Sequence, residues 1–131
     1  GIYLRQNPIG RLGISVLCRV PYDDHNALEP DISLSKDLIT PIVTRGPVLR
    51  MPDLAIEIKS PDDTFREMRK KAETYLEHGA QMVWLVFPEN RLIEVYLRGA
   101  DSRILSEQDT LDGGEVLPGF SLAVKDIFKS A

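Results

Sequence analysis

A carboxylate and an ammonium group, Glu57 and Lys59, stand two residues apart in the stretch PDLAIEIKSP at residues 52–61. Apolar residues alternate with others along this stretch, and a period of two predicts a β-strand. Side chains at i and i+2 point to the same face, roughly 7 Å apart at ~3.3 Å rise per residue, so both heads could reach one point. A carboxylate can hold a divalent cation, and a lysine beside it can orient or deprotonate a water and stabilise developing charge. The alternative is a solvent-facing strand with an ordinary ion pair, which would contribute only ~0–1 kcal/mol.

Hydrolysis of a phosphodiester with Mg²⁺ calls for a second carboxylate, and two aspartates that each follow a proline, Asp31 and Asp53, are the candidates. Asp53 lies four residues before Glu57, roughly 13 Å along the strand, which is too far for a shared ion. Asp31 opens another predicted strand, and adjacent strands lie only ~4.8 Å apart. Geometry therefore favours Asp31, Glu57 and Lys59 as the catalytic set, with Asp31 and Glu57 as the metal ligands. Asp53 is then expected to cap the strand entrance.

The remaining patterns describe the elements that must position this set. Strands are predicted over residues 11–20, 31–38, 53–60, 81–87 and 92–98, the last two forming a hairpin. A helix should begin after the capping groups of residues 62–64 and end near Gly79, and a short helix is expected over 124–129. Residues 1–10 resemble the end of a helix, and residues 21–30 a polar loop. This order predicts an α/β domain with a mixed sheet, and the two strands before the helix should be either an antiparallel pair or neighbours in that mixed sheet.

Composition narrows the class of protein. A chain of 131 residues, 43% hydrophobic and 27% charged, suits one globular domain, and no apolar run approaches the ~20 residues of a membrane span. A single cysteine, Cys18, excludes an internal disulfide, fits a cytoplasmic location and is expected to be a buried hydrophobe. His25 is expected to be solvated, and the absence of CxxC and HxxxH motifs gives zinc little support. The net charge of -4 argues mildly against a broad nucleic-acid surface, although local basic residues could still border an acidic metal site.

Several of these motifs occur in an order that resembles a known group. The segments are PDISLSK, PDLAIEIKSP, Lys71-x-x-x-Tyr75-x-x-x-Gly79, MVWLVFPENRLIEVYL and LPGFSLAVKDIF, spread over about residues 10–129. Together they are similar to the Uma-two group of restriction endonucleases, abundant in some bacteria, within the PD-(D/E)XK nuclease superfamily. The resemblance implies a restriction-endonuclease-like fold, with a mixed β-sheet core flanked by helices, a Mg²⁺ or Mn²⁺ cofactor and DNA as the substrate.

The resemblance also leads to expectations about the N-terminal segment of the chain and about Lys59. Members of the group usually carry an upstream helical segment with a further glutamate, so we expect residues 1–131 to be a single domain that lacks such a segment. Many relatives have lost the lysine of the ExK element, whereas this chain has Lys59. A homodimer would suit the cutting of two strands, but no exposed apolar seam is evident.

Three further residues are candidates for substrate contacts. Lys71 and Tyr75 share a helix face at i and i+4, and the resemblance places Lys71 near the DNA or the active site. The alternative is a surface lysine whose stem covers a buried tyrosine ring. Ser60 could touch the substrate, or it could simply close the strand.

Three functions remain open from sequence. The first is a metal-dependent DNA endonuclease, a hydrolase that uses Asp31, Glu57 and Lys59. The second is an inactive member of the same fold that serves as a nucleic-acid-binding or protein-interaction module. The third is a generic α/β interaction domain in which Glu57 and Lys59 form a plain surface ion pair.

Overall fold

A computed structural model of the chain describes residues 11–14, 18–19, 27–28, 31–35 and 51–129. Within these ranges the strands are β1 Arg11–Ile14, β2 Cys18–Arg19, β3 Ala27–Leu28, β4 Ile32–Ser35, β5 Leu54–Ile58, β6 Met82–Phe87, β7 Leu92–Leu97, β8 Arg103–Leu105, β9 Thr110–Asp112 and β10 Ser121–Ala123. The helices are α1 Phe65–Glu77 and α2 Val124–Phe128. None of the helices in these ranges has the length and apolarity needed to cross a membrane.

Six of the described strands form one mixed sheet in the order β1-β4-β5-β6-β7-β8. Strands β5 and β6 are parallel, and α1 provides the connection between them, whereas every other neighbouring pair is antiparallel. The two strands predicted before the helix, β4 and β5, are neighbours in this mixed sheet and pair antiparallel, and the predicted hairpin is confirmed as β6 and β7. Strand β5, which bears Glu57, therefore lies near the middle of the sheet.

Helix α1 has the ends that its sequence predicts. The Thr64 hydroxyl oxygen accepts a hydrogen bond from the Glu67 amide at 3.1 Å, which satisfies a donor in the first turn. At the other end Gly79, one residue after the C-cap residue His78, adopts φ +124°, a backbone conformation that favours glycine. Met68, Ala72 and Tyr75 form the buried side of the helix.

The sheet is covered on both faces, because alternate residues of its central strands enter two different apolar clusters. Ala55 and Leu85 pack beneath α1, whereas Leu54 and Trp84 face the other side with Phe128 of α2. Side chains of β5 that point toward α1 are consequently shielded from water. Trp84 is buried in the second of these clusters and belongs to the core.

The structure differs from the predicted elements at its two ends. The strand predicted over 11–20 is divided into β1, which pairs with β4, and β2, which pairs with β3 in a separate two-stranded sheet. Strand β3 also lies within the predicted loop 21–30, since a period of two does not show where a chain leaves one sheet for another. Strands β8, β9 and β10 are three residues long each, too short for a clear alternation. The helix end expected over residues 1–10, His25 and the side chain of Cys18 lie outside what the structure describes.

Candidate active site

Glu57 is a buried acid in the middle of the sheet. Its side chain shares the α1-facing side of β5 with Ala55, and the residue retains only 5% of its exposure. The Tyr75 hydroxyl on α1 donates a hydrogen bond to Oε1 of Glu57. Burial raises the pKa of the Glu57 carboxyl, and the Tyr75 hydrogen bond opposes that rise by stabilising the charged form.

Asp31 approaches the same place from β4. The antiparallel register pairs Ile32 with Ile56, so the preceding residue, Asp31, lies beside Glu57 across the two strands. Oδ2 of Asp31 accepts a hydrogen bond of 2.7 Å from the backbone amide of Ile58. The negative charge of Asp31 contributes to the raised pKa of Glu57, as expected for two neighbouring carboxylates. The structure therefore brings together the two acids that the sequence proposed as metal ligands.

The cation that acts on Glu57 is Lys71 of α1. Its positive charge lowers the pKa of Glu57, although this is a smaller effect than burial. Lys71 is exposed and lies one helical turn before Tyr75, which is fully buried. The two residues of the predicted i and i+4 pair therefore have different surroundings. Tyr75 is hydrogen-bonded to the buried Glu57, whereas Lys71 is at the surface above it.

The ammonium of Lys59 contacts the Ser60 carbonyl and the Phe65 ring rather than forming an ion pair with Glu57. Its Nζ lies 3.3 Å from the carbonyl oxygen of Ser60 and 5.4 Å from the centroid of the Phe65 ring. Its backbone amide donates to the carbonyl of Val86 at 2.9 Å, which extends the parallel pairing beyond β5. No salt bridge joins Lys59 to Glu57, both of which lie in the described ranges.

Asp63 is a further acid of the site that the sequence pattern did not single out. Its Oδ2 accepts hydrogen bonds of 2.9 Å from the amide and the hydroxyl of Ser60, closing the turn between β5 and α1. These bonds lower the pKa of Asp63, and the charges of Lys71 and Lys59 lower it further. An acid just before a helix is typical of a cap, and that pattern hid its proximity to Glu57, whose pKa it raises. Ser60 accordingly has a contact that closes the end of the strand.

A second buried carboxylate lies in the same row of the sheet. The pairing of Glu57 with Leu85, and of Leu85 with Glu94, places both glutamates on the α1 side. Glu94 accepts two hydrogen bonds from Arg69, at 3.2 and 2.7 Å, and one of 2.9 Å from Tyr96. Burial beside this carboxylate raises the pKa of Tyr96 to about 12. Both oxygens of Glu94 are thus engaged in contacts within the protein.

Asp31 and Glu57 differ from Glu94 in how many of their carboxylate oxygens are hydrogen-bonded. Within the described part of the chain, Oδ1 of Asp31 and Oε2 of Glu57 receive no hydrogen bond. Two adjacent carboxylates, each with one fixed and one open oxygen, fit Mg²⁺ or Mn²⁺, which take one or two carboxylates and complete their shell with water and substrate oxygens. Among the described residues, no group of three histidine, cysteine, aspartate or glutamate side chains is suited to a metal ion.

Asp53 stands at the opposite end of β5 from this pair. Its backbone carbonyl accepts hydrogen bonds from the amides of Gln81 and Met82, at 2.9 and 3.0 Å. Asp53 thereby ties the start of β5 to the start of β6. This placement fits the predicted role at the strand entrance.

Comparison with solved structures identifies a protein whose fold is similar to that of this chain. The crystal structure of a putative nuclease belonging to DUF820 from Anabaena variabilis superposes with a TM-score of 0.81 at 26% sequence identity, covering 98% of this chain and 73% of that chain. The similarity confirms the nuclease-like α/β fold expected from the sequence. No functionally curated protein matches the chain. The family model described as a putative restriction endonuclease matches residues 1–125, and the chain therefore belongs to this family, Uma-two.

Proposed function

We propose that this protein is a nuclease that hydrolyses DNA phosphodiester bonds with a divalent metal ion. The observation that carries the proposal is the convergence of Asp31 and Glu57 where β4 begins and β5 ends, each with an oxygen free of hydrogen bonds from the described residues. The family to which the chain belongs, and the nuclease with the same fold, support phosphodiester hydrolysis.

Asp31 and Glu57 would hold Mg²⁺ or Mn²⁺ through these open oxygens. When bound, the ion would neutralise charge on the phosphate and lower the pKa of a coordinated water. The backbone amide of Ile58 orients Asp31, and the Tyr75 hydroxyl orients Glu57, so both ligands are fixed before any ion arrives. Since Tyr75 is fully buried, its contribution is to hold Glu57 rather than to touch DNA.

The two lysines have separate tasks in this proposal. Lys59 directly follows β5, and its ammonium at the edge of the site would act on the attacking water and on the charge that develops on the phosphate. Lys71 lies exposed above Glu57 and offers a positive charge to a phosphate of the bound strand. Ser60 and Asp63 fix the turn that follows Lys59.

The metal site is tested first, because that test needs no knowledge of the target sequence. Calorimetric titration of Mn²⁺ into the wild type should show binding that is lost in Asp31→Asn. The matched control is Asp126→Asn, which removes an exposed carboxylate on α2 and should bind as the wild type does. Binding that survives in Asp31→Asn would overturn the assignment.

Cleavage provides the second test. Single- and double-stranded DNA incubated with Mg²⁺ or Mn²⁺ should be cut by the wild type and by Lys125→Ala, a control on the exposed side of α2, but not by Lys59→Ala. Cleavage that persists unchanged in Lys59→Ala would sink the catalytic assignment of that lysine. Binding of DNA that is indifferent to divalent ions in both the wild type and Asp31→Asn would instead identify an inactive binding module.

A further inference from the structure

Phe65 is a large aromatic residue that stays partly at the surface beside the site. It is the first residue of α1, follows the N-cap Thr64, and retains 39% of its exposure. One side of its ring packs on Phe87 of β6, with 5.0 Å between centroids. The apolar contact with Phe87 explains how the ring is anchored, but it does not explain why the ring remains exposed.

Two cations share this ring. Nζ of Lys59 lies 5.4 Å from the ring centroid, and Cζ of Arg69 lies 5.6 Å from it. Both distances are within the ~6 Å over which a cation is attracted to the negative face of an aromatic ring. Arg69 in turn donates two hydrogen bonds to the buried carboxylate of Glu94, which balances its charge and fixes its position against the core.

Lys59 has an obvious competing partner for its charge. It is on the same side of β5 as Glu57, two residues away, and its side chain is long enough to reach the carboxylate of that residue. An ammonium resting on Glu57 would occupy the place of the metal ion. In the structure the ammonium lies instead over Phe65 and at the Ser60 carbonyl.

We propose that Phe65 is a positioning residue that holds the Lys59 ammonium at the edge of the site and away from the metal-binding carboxylates. The role of Lys59 in this inference rests on the proposed nuclease function, whereas its position does not. Arg69 and Glu94 support the same arrangement from the other end, because they fix the cation that shares the ring.

Two substitutions separate the aromatic face from simple packing. Phe65→Leu keeps an apolar side chain against Phe87 but removes the ring, and Phe65→Tyr keeps the ring. The first readout is the nuclear magnetic resonance shift of the Lys59 ε-methylene protons, assigned by their loss in Lys59→Met. We expect these protons to be shifted by the ring in the wild type and in Phe65→Tyr, and to coincide with those of the exposed Lys125 in Phe65→Leu. Identical Lys59 shifts in the wild type and Phe65→Leu would overturn the proposal.

The second readout is Mn²⁺ affinity. Phe65→Leu should weaken Mn²⁺ binding about two- to fivefold, since Lys59 is then free to pair with Glu57, and Phe65→Tyr should not. Adding Lys59→Met to Phe65→Leu should restore the affinity, because the competing charge is gone. A loss that persists in the double variant would show ordinary structural damage and contradict the positioning role.

These readouts distinguish two failures. If the wild type binds no Mn²⁺, the proposed function fails, and the proton shifts alone decide whether Phe65 positions Lys59. If the wild type binds Mn²⁺ and cuts DNA but Phe65→Leu keeps wild-type shifts and affinity, only the positioning role fails. Where cleavage is measured, Phe65→Leu should lower kcat at saturating Mn²⁺ with little change in KM for DNA.

Discussion

The Tyr75 hydroxyl on α1 donates a hydrogen bond to Oε1 of Glu57 on β5, and both residues are buried beneath the helix. The bond connects the helix that covers the sheet to the acid that we propose as a metal ligand. Its loss should therefore affect stability and metal binding together, whereas most buried hydrogen bonds affect stability alone.

Tyr75→Phe removes the hydroxyl and retains the ring. We expect the pKa of Glu57 to rise further, because its charged form loses a donor, and Mn²⁺ binding to move to higher pH. The free energy of unfolding should fall by about 0.5–1.5 kcal/mol. Titrations of Mn²⁺ at several pH values between ~5 and 8, a range in which many proteins are most stable, measure this shift in the pH dependence of Mn²⁺ affinity.

Tyr96→Phe is the matched control for that experiment. The Tyr96 hydroxyl donates to Glu94, which has no open oxygen, so the variant should lose a similar amount of stability without any change in Mn²⁺ binding. Equal effects of the two substitutions on Mn²⁺ affinity would contradict a special role for the Tyr75–Glu57 contact.

Glu57→Gln should change how stability depends on pH in the absence of divalent ions. Because burial raises the folded-state pKa of Glu57, the folded protein holds this proton at pH values where the unfolded chain has released it. The stability from the proton is complete below the ordinary glutamate pKa and is lost as pH rises through the raised pKa. The variant should therefore gain stability relative to the wild type over that interval.

Urea unfolding of both proteins with a chelator present, at a series of pH values, measures this difference. Glu89→Gln, an exposed glutamate in the turn after β6, provides the control and should run parallel to the wild type. Parallel curves for Glu57→Gln and the wild type would show that Glu57 is not perturbed by burial.

Arg69→Met should be far more costly than Arg91→Met. Both arginine side chains are 49% exposed, but the partner of Arg69 is Glu94, 7% exposed, and the partner of Arg91 is Glu107, 42% exposed. Loss of Arg69 leaves a buried carboxylate short of donors and should cost about 1–3 kcal/mol of unfolding free energy. Loss of Arg91 removes a surface pair at 3.5 Å and should cost less than about 1 kcal/mol. Thermal and urea unfolding compare them, and equal losses would refute the distinction.

Lys71→Met should weaken DNA binding in a salt-dependent way. If Lys71 neutralises one phosphate, the slope of log affinity against log salt should decrease by about 0.9 for double-stranded or 0.7 for single-stranded DNA. Lys70→Met is the neighbouring control on the same helix, since Lys70 is exposed and does not appear among the charges that act on Glu57. Fluorescence anisotropy at several salt concentrations measures both slopes. An unchanged slope in Lys71→Met would remove this lysine from the DNA contacts.

Local patterns predicted the elements that carry the site. Alternation along residues 54–58 and the continuous apolar run at 82–87 identify β5 and β6, because each pattern matches the strand period and the burial of a central strand. The capping groups before Phe65 and the glycine at position 79 predict the two ends of α1 to within a few residues. Patterns at the N-terminal end were less informative, since one apolar stretch was shared by two strands of different sheets.

The contacts of the charged residues were harder to predict. Spacing on β5 suggested that Glu57 and Lys59 act at one point, but the packing of α1 brings Tyr75 and Lys71 to Glu57 and places Phe65 under Lys59. The cross-strand position of Asp31 was inferred correctly from strand spacing, because adjacent strands must lie close wherever they pair.

The sequence by itself determined the strand that bears Glu57 and Lys59, the helix that follows it and the acid on the neighbouring strand, since these depend on short-range periodicity and on fixed strand distances. Only the tertiary structure decided which carboxylate keeps an oxygen free of hydrogen bonds from the described residues and which does not. Glu94 is saturated by Arg69 and Tyr96, whereas Glu57 and Asp31 keep an oxygen that no described residue occupies. Tyr96 lies only two residues from Glu94, but Arg69 reaches Glu94 because α1 packs across the sheet, and such a contact between residues far apart in the chain has no signature in local spacing.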